Sequence, residues 1–237
     1  MIFIKKIKTN KDLNNNIFGS FMIEPLEIGQ GITLATSLRR TIYSLFSEFF
    51  ISSLQIPKFY NEINYIFGLR ENLIDLNLNL KQVIFKVLPK NENYKNLIKF
   101  QGIISIQGPV IITASHINLP KEIIKIINPF QYICTLVEKI FLTLYLNIKK
   151  TKYSLLINKK QKSIQEHNLN NYNLPIKKLN YKIKLIHDYL GNIKECLIIE
   201  IITDGSISPQ RCLLEGIKSI YDLFLNIFYN LQNFLFI

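Results

Sequence analysis

Residues 21–40 read FMIEPLEIGQGITLATSLRR, and the succession of elements in that run decides the fold. The apolar stretch Ile17 to Ile28 predicts a strand with an interior proline. Proline has no ladder N–H, so Pro25 belongs at an edge or a bulge. Gly29-Gln30-Gly31 reads as a turn. Beyond it Leu34, Leu38, Ile42 and Leu45 recur at helical spacing, with Thr33 placed as an N-cap. A second stripe of that helix carries Thr33, Ser37, Arg40, Ser44 and Ser47. Small side chains let another backbone approach, and an arginine offers a planar five-donor fork to carboxylates or carbonyls. The same stripe also reads as an ordinary solvated face.

Working outward, Ile51 to Ile56, Gln82 to Leu88, Ile98 to Ile112 (broken at Gly108-Pro109), Ile133 to Val137 and Ile183 to Ile186 predict strands. Leu197 to Ile202 is apolar on both faces, as a central strand is. Residues 69–80 fit a helix or a strand by periodicity, as do Phe141 to Ile148. The polar stretch 158–173 reads as a loop. Near the end, Asp204-Gly205 predicts a turn, Ser208 a cap, and Pro209 a first helical position where no donor is needed. Leu213, Ile217, Ile220, Phe224, Ile227, Leu231 and Phe234 then follow at steps of three and four, flanked by Leu214, Tyr221, Phe228 and Leu235. A stripe that wide must lie in a core, pair with another chain, or do both. The class expected is α+β.

Composition narrows the function. Hydrophobic residues are 48% of the 237 and charged residues 19%, enough for a packed core. No run approaches the roughly 18 apolar residues of a membrane helix. The net charge of +12 invites a nucleic-acid partner, but only Arg39, Arg40, Arg70 and Arg211 are arginines. The lysines are scattered among asparagines, a bias that A+T-rich coding also produces. Cys134, Cys196 and Cys212 form no CxxC pair, and with His116, His167 and His187 dispersed no metal-site spacing emerges. P-loop, dinucleotide-binding, nucleophile-elbow and zinc-protease motifs are absent. The aspartates are dispersed, and Glu24 and Glu27, which bracket Pro25, have no nucleophile or base beside them. No catalytic residue, metal or cofactor is expected, and a small metabolic enzyme is the weakest reading. The amino terminus resembles neither a signal peptide nor a transit peptide.

The run from Phe21 to Arg40 resembles the signature of RNA polymerase alpha subunits, in which an edge strand passes through a glycine turn into a helix ending in a double arginine. Three further blocks follow in the family's order. Leu73 to Lys81 resembles its acidic-aliphatic helix. Gly108-Pro109-Val110 with Thr113-Ala114 resembles its Gly-Pro-Val segment, and Thr203 to Pro209 its Thr-Asn-Gly-Ser-Leu-Thr-Pro block. Asn180-Tyr181 and His187 to Asn192 are closer to chloroplast members. With the composition and the missing transit peptide, this suggests a plastid-encoded subunit in the stroma.

The resemblance implies a discontinuous dimerisation domain over 1–52 and 174–237, an antiparallel sheet with helices. An inserted mixed α/β domain would occupy 53–173, and the 69–80 ambiguity would resolve to helix. It implies a homodimer joined through Leu213, Ile217, Ile220, Phe224, Ile227 and Leu231. The beta subunit would dock on Arg39 and Arg40 with Ser37 and Ser44, and beta-prime near Lys81. DNA would be reached only through the complex, because the family's small carboxy-terminal DNA-binding domain is missing after Ile237. Asn147 to Ser154 departs from the family pattern. The competing function is a stand-alone basic dimer that binds nucleic acid through its lysines.

Overall fold

The computed structural model describes residues 2–13, 15–56, 61–62, 65–88, 99–120, 124–152, 167–168, 174–188 and 191–235. In chain order the elements are β1 (Phe3–Lys11), β2 (Ile17–Leu26), α1 (Gln30–Leu45), β3 (Ser47–Gln55), β4 (Asn61–Glu62), β5 (Tyr65–Ile66) and α2 (Leu73–Lys81). Then come β6 (Phe85–Val87), β7 (Lys99–Gln107), β8 (Val110–Thr113), a 3-10 turn (Ala114–His116), β9 (Ile124–Ile126), β10 (Tyr132–Leu136) and β11 (Phe141–Lys152). The chain continues with β12 (His167–Asn168), β13 (Ile176–His187), β14 (Ile193–Thr203) and α3 (Pro209–Leu235). The fold is α+β, and every ladder among the described residues is antiparallel.

Two compact units form, one from Met1–Phe46 with Leu174–Ile237 and one from Ser47–Asn173. Residues 47–52, expected with the first, go with the second because β3 pairs along β11. A strand belongs to the ladder that satisfies its backbone.

The first unit is a four-stranded sheet in the order β1-β2-β14-β13. Phe21, Ile23, Leu197, Ile199, Ile201 and Leu179 alternate onto one face, where they are buried with Ala35, Leu38 and Ile42 of α1 and Cys212 and Leu213 of α3. β14 is central, as its two-sided apolar pattern predicts. Pro25 sits at a bulge rather than an edge. Leu26 faces Glu195 and Ile23 faces Leu197, so Glu24 and Pro25 together oppose one residue where no ladder donor is needed. The Glu24–Pro25 peptide is cis. β1 lies along the outer edge with all its residues exposed, a strand the sequence reading left out.

In the second unit the sheet order is β12-β3-β11-β7. β11 settles Phe141 to Ile148 as strand, with Leu142, Leu144, Leu146 and Ile148 fully buried at alternate positions. Residues 73–81 form helix α2, capped by Asn72, whose side-chain oxygen accepts from Asp75 N at 2.7 Å. Leu73, Leu76 and Leu80 enter the core, while Ile74 and Leu78, which gave the alternating pattern, face out. Of the strand expected over Gln82 to Leu88 only Phe85–Val87 forms, since Gln82 closes α2 by donating its N–H to Asn79 and Leu80. Among the described residues the second unit holds antiparallel ladders and one α-helix, α2. The predicted loop 158–173 lies outside the described residues except for His167 and Asn168, which pair with β3.

Candidate subunit interface

Helix α1 has no side-chain cap of its own. Gly29 takes φ +87°, a left-handed value suited to glycine, and the amides of the turn reach Glu195 on β14. Gly29 N donates to Oε1 at 3.0 Å and Gly31 N to Oε2 at 2.8 Å. A carboxylate there satisfies orphan donors and complements the helix dipole. A Cβ on Gly31 would stand 2.6 Å from Glu195 Oε2, so the close approach requires glycine. Thr33 is not the N-cap. It lies inside the first turn, and its hydroxyl donates to Gly29 O at 2.9 Å.

The outer stripe of α1 is largely self-satisfied. Ser37 Oγ donates to Leu34 O at 2.9 Å and Ser44 Oγ to Thr41 O at 3.0 Å. Ser47, expected on this stripe, belongs to β3. Arg40 lies opposite the buried row Gly31, Ala35, Leu38 and Ile42, and Arg39 on its flank. Both are exposed, and neither has a hydrogen bond or ion pair among the described residues. Hydroxyls that bond back to the helix leave a low surface from which two guanidinium groups project.

Helix α3 begins as expected, with Ser208 Oγ accepting from Arg211 N at 3.4 Å. Its twelve-residue start and its remainder then diverge. Cys212 and Leu213 are buried, and Ile217 and Ile220 pack on the same core. Gly216 lets α1 and α3 touch, because a Cβ there would lie 2.6 Å from Ile42 Cγ1. Leu213, Ile217 and Ile220, expected at a dimer seam, are therefore engaged by their own core. From Tyr221 to Phe234 the apolar residues other than Leu225 turn to solvent. Phe224 is 62% exposed and Phe234 81%, with Leu223, Ile227, Phe228, Tyr229 and Leu231 about half exposed. A patch of that extent is a candidate contact surface.

Lys81 ends α2, part-buried, on the stripe that also presents Ile74 and Leu78. Among the described residues no group of three metal-ligating side chains forms, and no helix is long and apolar enough to cross a membrane. Burial pushes the Cys134 thiol up to about 12, aided by the charge of Glu71, and raises that of Cys196. Both side chains are buried.

Residues 24–224 match the model of the RNA polymerase Rpb3/Rpb11 dimerisation domain. The DNA-directed RNA polymerase subunit alpha of Thalassiosira pseudonana is 34% identical over 95% of this chain and 70% of its own length. That of Gracilaria tenuistipitata var. liui is 36% identical over 93% and 68%. The chain belongs to the RNA polymerase alpha-subunit family. Another member, from Mesostigma viride, is 35% identical over 92% of the chain and 67% of itself. The dimerisation-domain match spans α1 and runs along α3 as far as Phe224, so it takes in the inner half of α3 and only the start of the exposed half.

The sequence reading missed Glu195, Gly216 and β1. A helix start with neither an acid nor an Asx residue calls for a distant acceptor, and an acid heading an apolar strand is a suitable one. A glycine inside a strongly periodic helix, costing about 1 kcal/mol against alanine, calls for close packing.

Proposed function

We infer that this alpha-family chain is a non-catalytic platform of a plastid RNA polymerase. It homodimerises through the second half of α3 and then receives the beta and beta-prime subunits. The observation that carries this is the exposed apolar face from Tyr221 to Phe234, on a helix anchored by its first half. Each such side chain, once buried, stabilises a pair by roughly 1.5–3 kcal/mol, and a two-fold arrangement lets one patch cover its copy. In this reading the first unit is the dimerisation domain and the second is the insert. Arg39 and Arg40 on α1, flanked by Ser37 and Ser44, receive beta, and Lys81 on α2 receives beta-prime. DNA is reached through the assembled complex. The algal origin of the relatives and the lysine-asparagine composition support the plastid stroma as the location.

Light scattering on the purified chain tests the first step, with dimer mass expected at micromolar concentration. Co-expression with tagged beta and then beta-prime tests the second, with stoichiometric recovery of all three expected. A monomer that still recovers beta would overturn the dimer as the platform.

A further inference from the structure

The sheet of the first unit has a second face, opposite α1 and α3, and its composition follows a pattern. The antiparallel register sets its residues in rows across β1, β2, β14 and β13. Asn10, Phe18, Ile202 and Lys178 form one row, and Lys8, Ser20, Glu200 and Asn180 the next. Lys5, Met22, Ile198 and Lys182 form the third. At the bulge, Phe3 and Glu24 stand on one side and Cys196 and Lys184 on the other. The two middle strands therefore carry two apolar pairs, Phe18 with Ile202 and Met22 with Ile198, all part-exposed and outside the buried core. Both margins carry exposed lysines: Lys5 and Lys8 on β1, and Lys178, Lys182 and Lys184 on β13.

We propose that this face docks an acidic amphipathic helix of a partner protein, a contact separate from the dimer and docking surfaces above. The dimensions fit. Three interstrand gaps set the lysine margins about 14 Å apart, and an α-helix with its side chains is about 10–12 Å wide. Phe18 to Glu24 spans about 20 Å of strand, which matches about 14 helical residues. An apolar stripe would lie on the two middle pairs, with carboxylates on both flanks meeting the lysines. Lysines on edge strands also discourage edge-to-edge pairing, but that role does not account for apolar pairs left part-exposed between them. Glu24 and Glu200 sit mid-face, and Lys182 Nζ is 3.6 Å from Glu200 Oε1. Two central carboxylates disfavour a nucleic-acid backbone, and beneath a docked helix Glu200 would keep Lys182 as its counter-ion.

The test uses the full chain and a fluorescent synthetic peptide of about 14 residues, apolar on one stripe with glutamates on both flanks. Anisotropy is read against a scrambled peptide, a lysine-flanked version and a single-stranded oligodeoxynucleotide. Saturable binding of the glutamate helix is expected, with the scrambled and lysine-flanked peptides at least about tenfold weaker. Lys5→Glu with Lys178→Glu, both exposed and outside the core, should weaken the helix by a similar factor. Met22→Gln should weaken it as well. No saturable binding overturns the proposal, as does binding indifferent to these substitutions. Oligonucleotide binding that the lysine substitutions abolish overturns it in favour of a nucleic-acid surface.

Discussion

Between Pro209 and Ile220, helix α3 turns most of its apolar residues onto its own chain, with Gly216 against Ile42 and Leu213 in the core and Leu214 exposed. From Tyr221 to Phe234 the same three-and-four spacing continues, and the residues meet solvent. One periodicity thus serves two surroundings. An apolar stripe states that burial is required, and only the length of the surface beneath it states who provides the burial. The sheet and α1 support the first three turns. Past them the stripe is left without cover, and in the proposed dimer a second copy supplies it.

The largest effect expected is on the outer half. Phe224→Asp places a charge mid-patch, so pairing would bury it without a partner. Light scattering should show monomer in place of dimer, with circular dichroism near that of the parent and a thermal midpoint below the parent dimer's, because the stabilisation from pairing is lost. A clean dimer from this variant removes the outer half from the interface.

Next comes the polar face of α1, the counterpart to that apolar patch. Arg40→Ala should leave dimer and fold intact, because Leu38 and Ile42 on the opposite side are untouched. Loss of a buried charged contact in a docked complex costs about 2–5 kcal/mol, so tagged beta should fail to be retained. Arg40→Lys should recover little of this, since an ammonium cannot reproduce the planar fork. Arg39 is exposed too, so Arg39→Ala should act on docking rather than on stability. Normal beta retention by Arg40→Ala would show the α1 stripe to be a solvated face.

The inner half answers to packing. Gly216→Val drives a branched side chain into Ile42 and should destabilise by about 1–3 kcal/mol, seen as a lowered midpoint in urea. Its effect should appear at concentrations where the outer half is unpaired as well as where it is paired. A loss confined to the dimer would mean that α1 and α3 are held together by the partner copy.

Much of this was legible in the sequence because local rules and tertiary packing agree. Ser208-Pro209 starts α3 as capping chemistry requires, Pro25 finds its bulge, and Leu197 to Ile202 is central. Legibility failed where one local pattern fits two environments. Leu213, Ile217 and Ile220 carry the same spacing as Phe224 and Ile227, and nothing in the spacing marks where the underlying sheet ends. The start of α1 failed differently. Thr33 is a good capping residue in isolation, but Glu195, 164 positions from Gly31 in sequence, already holds the amides. Long-range satisfaction leaves no local trace except the missing capper. β1 leaves no signal in the sequence because an edge strand exposed on both faces has no need of a clean alternation.

The smallest effect expected is none, and it measures whether the halves of α3 are independent. Cys212 is fully buried in the inner half, beside Leu213, and so reports on the docking of that half. Cys134, in the second unit, is an internal reference. Burial holds its thiol at about 12, so at pH 8 only about one part in ten thousand is the reactive thiolate. Raising the pH should expose no thiolate there until the medium approaches that value, whereas an unfolded thiol ionises near 8.5. Stability therefore falls as pH climbs through that interval, since the unfolded chain releases the proton first. In native buffer at pH 8 a thiol-specific dye should label neither cysteine in the parent dimer. The Phe224→Asp monomer should give the same result. Labelling of Cys212 with Cys134 still protected would mean that the outer half, once unpaired, pulls the inner half from its core. The helix would then be one cooperative element, and the division at Ile220 would describe exposure and not energetics.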